Sequence, residues 1–165
     1  MATDLRKFVT NAIRRWGPAN GVTIDPALVL AIIQAESSGG RVLETPESGG
    51  RRSYGPMMVL DSTARDMGVT DPAQLRDPGL GIWYGVRYLA GLLKQFRGDV
   101  ARAVSAYNTG PGRAVRSPSG TFPNQTYVDR VLGYMKTFRG AAIPIGALVA
   151  LGAVAFVLSR RRRAA

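Results

Sequence analysis

The run LVLAIIQAESSGG, Leu28 to Gly40, carries one ionisable side chain, Glu36, behind an almost unbroken apolar stretch. At helical spacing Val29, Ile32 and Ile33 share a face, and Glu36 falls on its continuation. A carboxyl held against apolar neighbours is costly to ionise, so its pKa rises above the reference of about 4.3 and it keeps its proton nearer neutral pH. That is the property of a general acid in glycosidic cleavage. The same position is also the last turn of a helix, where a side chain can simply reach solvent. Periodicity alone does not choose between these readings.

Composition narrows the chemistry. The chain has no cysteine and no histidine, which removes thiol nucleophiles, disulfides, cysteine metal sites and the usual base of a Ser/His triad. Acid-base work near neutrality falls to a carboxyl, with lysine and tyrosine behind it. With 22 Lys+Arg against 11 Asp+Glu the net charge is +11, which suits anionic surroundings. Apart from the run Arg160 to Arg163 the cations are spread along the chain, which disfavours a nucleic-acid partner.

The elements that must position Glu36 follow from spacing and punctuation. At 165 residues and 45% hydrophobic content the chain can bury the core of one compact domain and carry a tail. Periodicity predicts helices at 4–16, 26–37, 62–67, 79–97, 100–108 and 126–138, so the fold class is mainly α. Asp25-Pro26 and Asp77-Pro78 each offer an N-cap followed by proline at the first helical position, and Asp61 and Asp99 are further caps. Gly17, Gly68, Gly98 and Gly110 are predicted stops. Strand signals are scarce; 39–52 and 113–125 are predicted as loops long enough to shape a groove.

The two ends differ. Residues 1–23 hold an amphipathic helix, with Leu5, Phe8, Val9, Ala12, Ile13 and Trp16 on one side and charges between them, unlike a cleavable export signal. The main domain is predicted at 24–139. Ala141 to Ser159 contains no charge and runs into four arginines. About 18 residues at about 1.5 Å rise span roughly the hydrocarbon thickness of a bilayer. The expectation is a single C-terminal transmembrane helix at 140–159 with a basic tail at 160–165 on the cytoplasm-like side, hence a single-pass membrane protein.

Five segments in order, AESSGG, SYGPMMVLDSTARDMG, GVRYLAGLLKQF, AVSAYNTGPGRA and TYVDRV, resemble the soluble lytic transglycosylase family over about Ile24 to Met135. The resemblance implies a lysozyme-like, mainly α fold with a catalytic glutamate at a helix end facing a sugar-binding groove. It further implies cleavage of the β-1,4 bond between N-acetylmuramic acid and N-acetylglucosamine in peptidoglycan, leaving a 1,6-anhydromuramyl end. Glu36 would act first as acid and then as base, the substrate's acetamido group would replace a carboxylate nucleophile, and no cofactor or metal is implied. As substrate-binding residues the resemblance gives Ser37, Ser48, Met57, Met58, Tyr107, Asn108 and Tyr127. Three departures stand out: Met58 occupies the place of a hydrogen-bonding glutamine, Asp61 that of a proline, and the closing motif is shortened to Gln125-Thr126-Tyr127-Val128.

Rival readings remain at this level. A lysozyme-type muramidase needs a second carboxylate, about 5 to 5.5 Å away for retention or about 6.5 to 9.5 Å for inversion. Glu44, Glu47 and Asp61 are the candidates, each more simply read as loop solvation or a helix cap. Other classes are a non-catalytic wall-binding membrane protein and a basic nucleic-acid-binding or membrane-permeabilising protein. A C-terminally anchored transglycosylase without an export signal is similar to the virion enzymes of membrane-containing bacteriophages. That likeness implies a lipid membrane and other virion membrane proteins as partners, with action on host periplasmic peptidoglycan during genome delivery.

Overall fold

The computed structural model describes residues 5–140. Six α-helices are found there: α1 (Leu5–Asn20), α2 (Pro26–Ser37), α3 (Asp61–Asp66), α4 (Pro78–Gln95), α5 (Val100–Thr109) and α6 (Gln125–Gly140). They pack around α2, the most buried of them. Ala27, Leu28, Val29, Ala31, Ile32, Ile33, Gln34 and Ser37 are all buried, so this helix has no single apolar face. Glu36 therefore ends a helix enclosed on nearly every side, which differs from the one-sided stripe that periodicity predicts. An almost uniformly apolar sequence has that outcome because neighbours must cover it all round.

The caps behave as their chemistry dictates. The Asp25 carboxylate accepts from the Ala27 N–H at 2.7 Å and Pro26 opens α2, while Asp77 accepts from the Leu80 N–H at the start of α4. Helix α2 stops at Ser38, whose left-handed backbone lets its N–H return to the Ile33 carbonyl. The expected stop at Gly17 is not one. Helix α1 runs on through Pro18 to Asn20, and the Asn20 side chain donates to the Trp16 carbonyl at 2.9 Å. Gly17 is instead a contact point, since a Cβ there would lie 3.0 Å from the Val22 carbonyl oxygen. Helix α1 lies along α4, with Trp16 and Trp83 edge to face at 5.4 Å between ring centres and the Arg87 guanidinium 5.1 Å from the Trp16 ring.

The predicted loop at 39–52 contributes one strand and the start of a second to a small antiparallel sheet. Strands β1 (Glu44–Pro46), β2 (Arg52–Tyr54) and β3 (Val59–Leu60) pair in that order, Glu44 opposite Tyr54 and Tyr54 opposite Val59. Strands of two or three residues containing Glu, Pro, Arg and Ser are too short to show alternation, which is why the sequence reads as loop.

The membrane expectation is corrected. Among the described residues no helix is long and apolar enough to cross a membrane. The segment expected to span, 140–159, lies outside the described residues except for Gly140, which belongs to α6. The mainly helical part of the expected fold stands without a membrane helix, and the single-pass membrane localisation expected with it is unsupported.

The tightest backbone approach joins the turn before β3 to the start of α4. Gly55 has φ +79°, and a Cβ there would fall 2.3 Å from the Leu75 carbonyl oxygen and 3.0 Å from Gly81 Cα. Gly49 has φ +73° but open space around it. Gly55→Ala is expected to lose about 3 kcal/mol or more, with a melting temperature about 10 °C lower, while Gly49→Ala loses only about 1 kcal/mol. Thermal unfolding of the two variants side by side checks the contrast.

Candidate active site

A cavity of about 610 Å³ opens between the C-terminal end of α2, the small sheet with α3, and the C-terminal end of α5. Glu36 lies in its wall, partly buried. Burial raises the Glu36 pKa from 4.5 to about 7; a hydrogen bond from Tyr127 and the positive charge of Arg130 pull it down, and the negative charge of Glu47 pushes it up. The Tyr127 hydroxyl, on α6, donates to Glu36 Oε1 at 2.5 Å, which leaves Oε2 to carry the proton. Helix α6 lies along α2, so the first turn of one is held over the last turn of the other. The Arg130 guanidinium sits 5.5 Å from the Tyr127 ring.

Two more tyrosines surround the carboxyl. The Tyr107 hydroxyl donates to the Met57 carbonyl at 2.9 Å, and the Tyr107 and Tyr88 rings lie 5.3 Å apart. Burial raises the pKa of Tyr107 and Tyr127 well above that of a free phenol, and the Glu36 charge raises both further. They stay protonated near neutrality and serve as donors. The lysines Lys7, Lys94 and Lys136 are all exposed, and none lines the cavity. Glu36 is the cavity carboxyl whose pKa burial brings to about 7.

The residues singled out from sequence separate into two sets. Glu36, Met58, Tyr107 and Asn108 line the cavity, and Tyr127 touches Glu36 from behind. Asn108 Oδ1 accepts from the Asn124 amide at 2.9 Å, which leaves its own amide N–H groups free to donate to a ligand. Met58 has φ +46° and its N–H returns to the Gly55 carbonyl at 3.0 Å, so the turn itself holds it at the cavity wall.

Ser37, Met57 and Ser48 need correction. Ser37 is fully buried: its hydroxyl lies 2.6 Å from the Pro56 carbonyl and 2.9 Å from the Ile33 carbonyl and accepts from the Gly40 N–H at 2.8 Å. It ties the end of α2 to the 55–58 turn and has no surface for a ligand. Met57 is also fully buried and packs on Gly85, where a Cβ would come within 2.5 Å of its sulfur. Ser48 is exposed and outside the cavity lining, next to Arg51, whose Nε donates to the Ser48 carbonyl at 3.1 Å.

In their place the β1–β2 connection contributes Glu47 and Arg51, β2 Ser53, α3 Thr63, α4 Tyr88 and the turn after α5 Arg113. Glu44 is held by Arg52 and, at 3.2 Å, by Arg76, and Asp61 pairs with Arg65 at 3.2 Å. Of the three carboxylates weighed as partners of Glu36, only Glu47 faces the cavity. Its charge was visible in the sequence, but its placement depends on the hairpin that was read as loop.

A helical domain with one desolvated carboxyl at a helix end, over a cleft walled by a small sheet, has the fold of a lytic transglycosylase domain. The structure of an inactive mutant of lytic transglycosylase Slt from Pseudomonas aeruginosa matches it with a TM-score of 0.55 at 23% identity, over 82% of this chain and 25% of that one. The chain belongs to the transglycosylase SLT domain family, whose family model matches residues 14–126, a span that holds Glu36 and stops one residue short of Tyr127. A protein of Enterobacteria phage PRD1 described as a transglycosylase is 34% identical over 91 residues, 55% of this chain and 31% of that protein. The chain thus aligns with less than a third of the length of either relative.

Burial of Glu36 has a consequence for stability. Below the unfolded value of 4.5 both folded and unfolded chains hold the proton; above it only the fold does, until about pH 7. The fold binds more protons in that window, so stability falls as pH rises through it and the loss is complete above about 7. Glu36→Gln removes the penalty. The variant is expected to melt close to the wild type at pH 4 and above it at pH 8, by at most about 3 kcal/mol, less where solvent in the cleft screens the charge. Calorimetry at the two pH values checks it.

Proposed function

We propose that the protein is a peptidoglycan lytic transglycosylase, with Glu36 as its single acid-base residue. The observation that carries this is the Glu36 carboxyl itself, brought to a pKa of about 7 by burial and hydrogen-bonded on one oxygen only, at the wall of an open cleft. Family membership supports the substrate class. In the reaction Glu36 Oε2 gives its proton to the oxygen leaving muramyl C1, and the C1–O4 bond breaks. The C6 hydroxyl of the same sugar then bonds to C1 and returns its proton to Glu36, leaving the enzyme as it began and a 1,6-anhydro ring on the product. No water is consumed. A pKa near the working pH suits both halves, since the group must give a proton and take one back. Tyr127 positions the carboxyl, and Asn108 with Met58 lines the sugar path. The likeness to a phage protein supports a setting in which the host wall is opened locally as a genome is delivered.

Mass spectrometry of digested peptidoglycan tests the reading. The wild type is expected to release anhydromuramyl ends and Glu36→Gln to lose about 10² to 10⁴ of the rate; reducing muramyl ends would instead identify a hydrolase, and an active Glu36→Gln enzyme would remove Glu36 from the mechanism. The pH dependence gives a second check. The rate is expected to fall above about pH 7 as Glu36 loses its proton. Tyr127→Phe deletes a hydrogen bond that favours the ionised form, so that fall should move to higher pH in the variant.

A further inference from the structure

Four of the ten acids among the described residues are paired with arginine. Asp25 has Arg139, Glu44 has Arg52 and Arg76, Asp61 has Arg65 and Asp99 has Arg116. Glu47 is different. It lines the same cavity as Glu36, and the contact on its carboxylate is the Ser53 hydroxyl, which donates to Oε1 at 2.8 Å. Ser53 is itself only 4% exposed, on β2, and also lines the cavity. The backbone is fixed at the same place, the Glu47 N–H donating to the Arg51 carbonyl at 2.9 Å. Arg51 stands beside it, yet its guanidinium is turned to the Ser48 carbonyl and, at 3.4 Å, to the Ser48 hydroxyl. Glu47 is thus a carboxylate oriented by a neutral hydroxyl and without an ion pair among the described residues, although Arg51 and Arg113 share the cavity wall.

Cleavage of a glycosidic bond builds positive charge on C1 and the ring oxygen as the leaving oxygen departs. A fixed anion near that charge lowers the barrier without forming a bond. We propose that Glu47, oriented by Ser53, is a second catalytic residue of this cleft, an electrostatic stabiliser of the oxocarbenium-like transition state that keeps its charge throughout. The proposal rests on the glycan-cleaving reading above. Bond-making at C1 stays with the substrate's C6 hydroxyl and proton transfer with Glu36, so no atom passes through Glu47. Its proximity to the reacting centre is felt already in the free protein, because the Glu47 charge pushes the Glu36 pKa upward.

Glu47→Gln in the full chain, which keeps shape and the hydrogen bond to Ser53, tests this with peptidoglycan as substrate from pH 5 to 9. The expected result is a kcat lower by about 10- to 100-fold with KM changed less than about 2-fold. The groups facing Glu36 are Tyr127 and Arg130 on α6, Tyr107 on α5, Tyr88 on α4 and Glu47 on the hairpin. Only the last is altered, and loss of its negative charge should move the alkaline fall in rate to lower pH. Glu47→Asp should restore most of the rate and the original pH profile. Ser53→Ala should lower kcat in the wild type and have little effect in the Glu47→Gln background, since the two side chains act as one unit. A Glu47→Gln enzyme with wild-type kcat overturns the proposal. So does a slower one whose pH profile has not moved and whose melting temperature has dropped, for that is a structural effect. A wild type that releases neither anhydromuramyl nor reducing ends overturns the glycan-cleaving reading itself, which the first two outcomes leave intact.

Discussion

The desolvation of one carboxyl organises this molecule. An ionised glutamate at the end of a helix enclosed by apolar neighbours loses the hydration that water would give it, and a low-dielectric surrounding returns little of it. The protein neither neutralises Glu36 with a salt bridge nor leaves it in bulk solvent. It offers one phenolic donor at 2.5 Å and a more distant guanidinium, enough to hold the side chain in place and too little to return its pKa to the ordinary carboxylate range. A direct arginine partner would have made Glu36 a permanent anion, useless as an acid near neutrality.

Much of the surrounding architecture exists to hold that compromise. Helix α2 must be buried on nearly all sides for Glu36 to be desolvated, and this requires α6 packed along its length. The cleft side is held differently, by backbone. The Pro56 carbonyl meets the Ser37 hydroxyl and the Met57 carbonyl receives the Tyr107 hydroxyl, so the 55–58 turn is bonded to the residue after Glu36 and to the floor of the cavity. The same turn presses on α4 at Gly55, Gly81 and Gly85, where no side chain fits. On the turn's side these hydrogen bonds use backbone carbonyls, which leave little trace in residue chemistry.

That division explains what could be read from the sequence. Helix limits were legible because Asp25-Pro26 and Asp77-Pro78 are local signals whose geometry does not depend on the rest of the fold. Glu36 was legible as a carboxyl in apolar company, although the one-sided face assumed for it is in fact an all-round burial. Gly17 misled because a glycine that usually ends a helix here serves a close approach to Val22. Ser37, Met57 and Ser48 were assigned by motif position, which is silent on whether a side chain points at a ligand or into the core. Ser53 was missed, and Glu47 was weighed without its place at the cavity, for the opposite reason: strands of three residues have no periodicity to read, and only their pairing brings the β1–β2 connection to the cavity.

The cleft also shows why the pKa of Glu36 is set by opposed influences and not by burial alone. Desolvation by itself would carry the carboxyl so high that it could give up its proton only with difficulty, and recovery of the proton from a sugar hydroxyl would be correspondingly easy. Tyr127 and Arg130 act against burial, and Glu47 acts with it. Tyr127 and Arg130 reach the carboxyl from α6, while Glu47 lies in the β1–β2 connection at the cleft wall. In the proposed reaction a sugar entering the cleft would displace water from around Glu47 and Glu36 together, strengthening the repulsion between their charges and favouring the protonated acid. In that reaction the charge developing at C1 would lie near both carboxyls and favour the ionised form of Glu36, so the electrostatic change that completes bond cleavage would also prepare the base for ring closure.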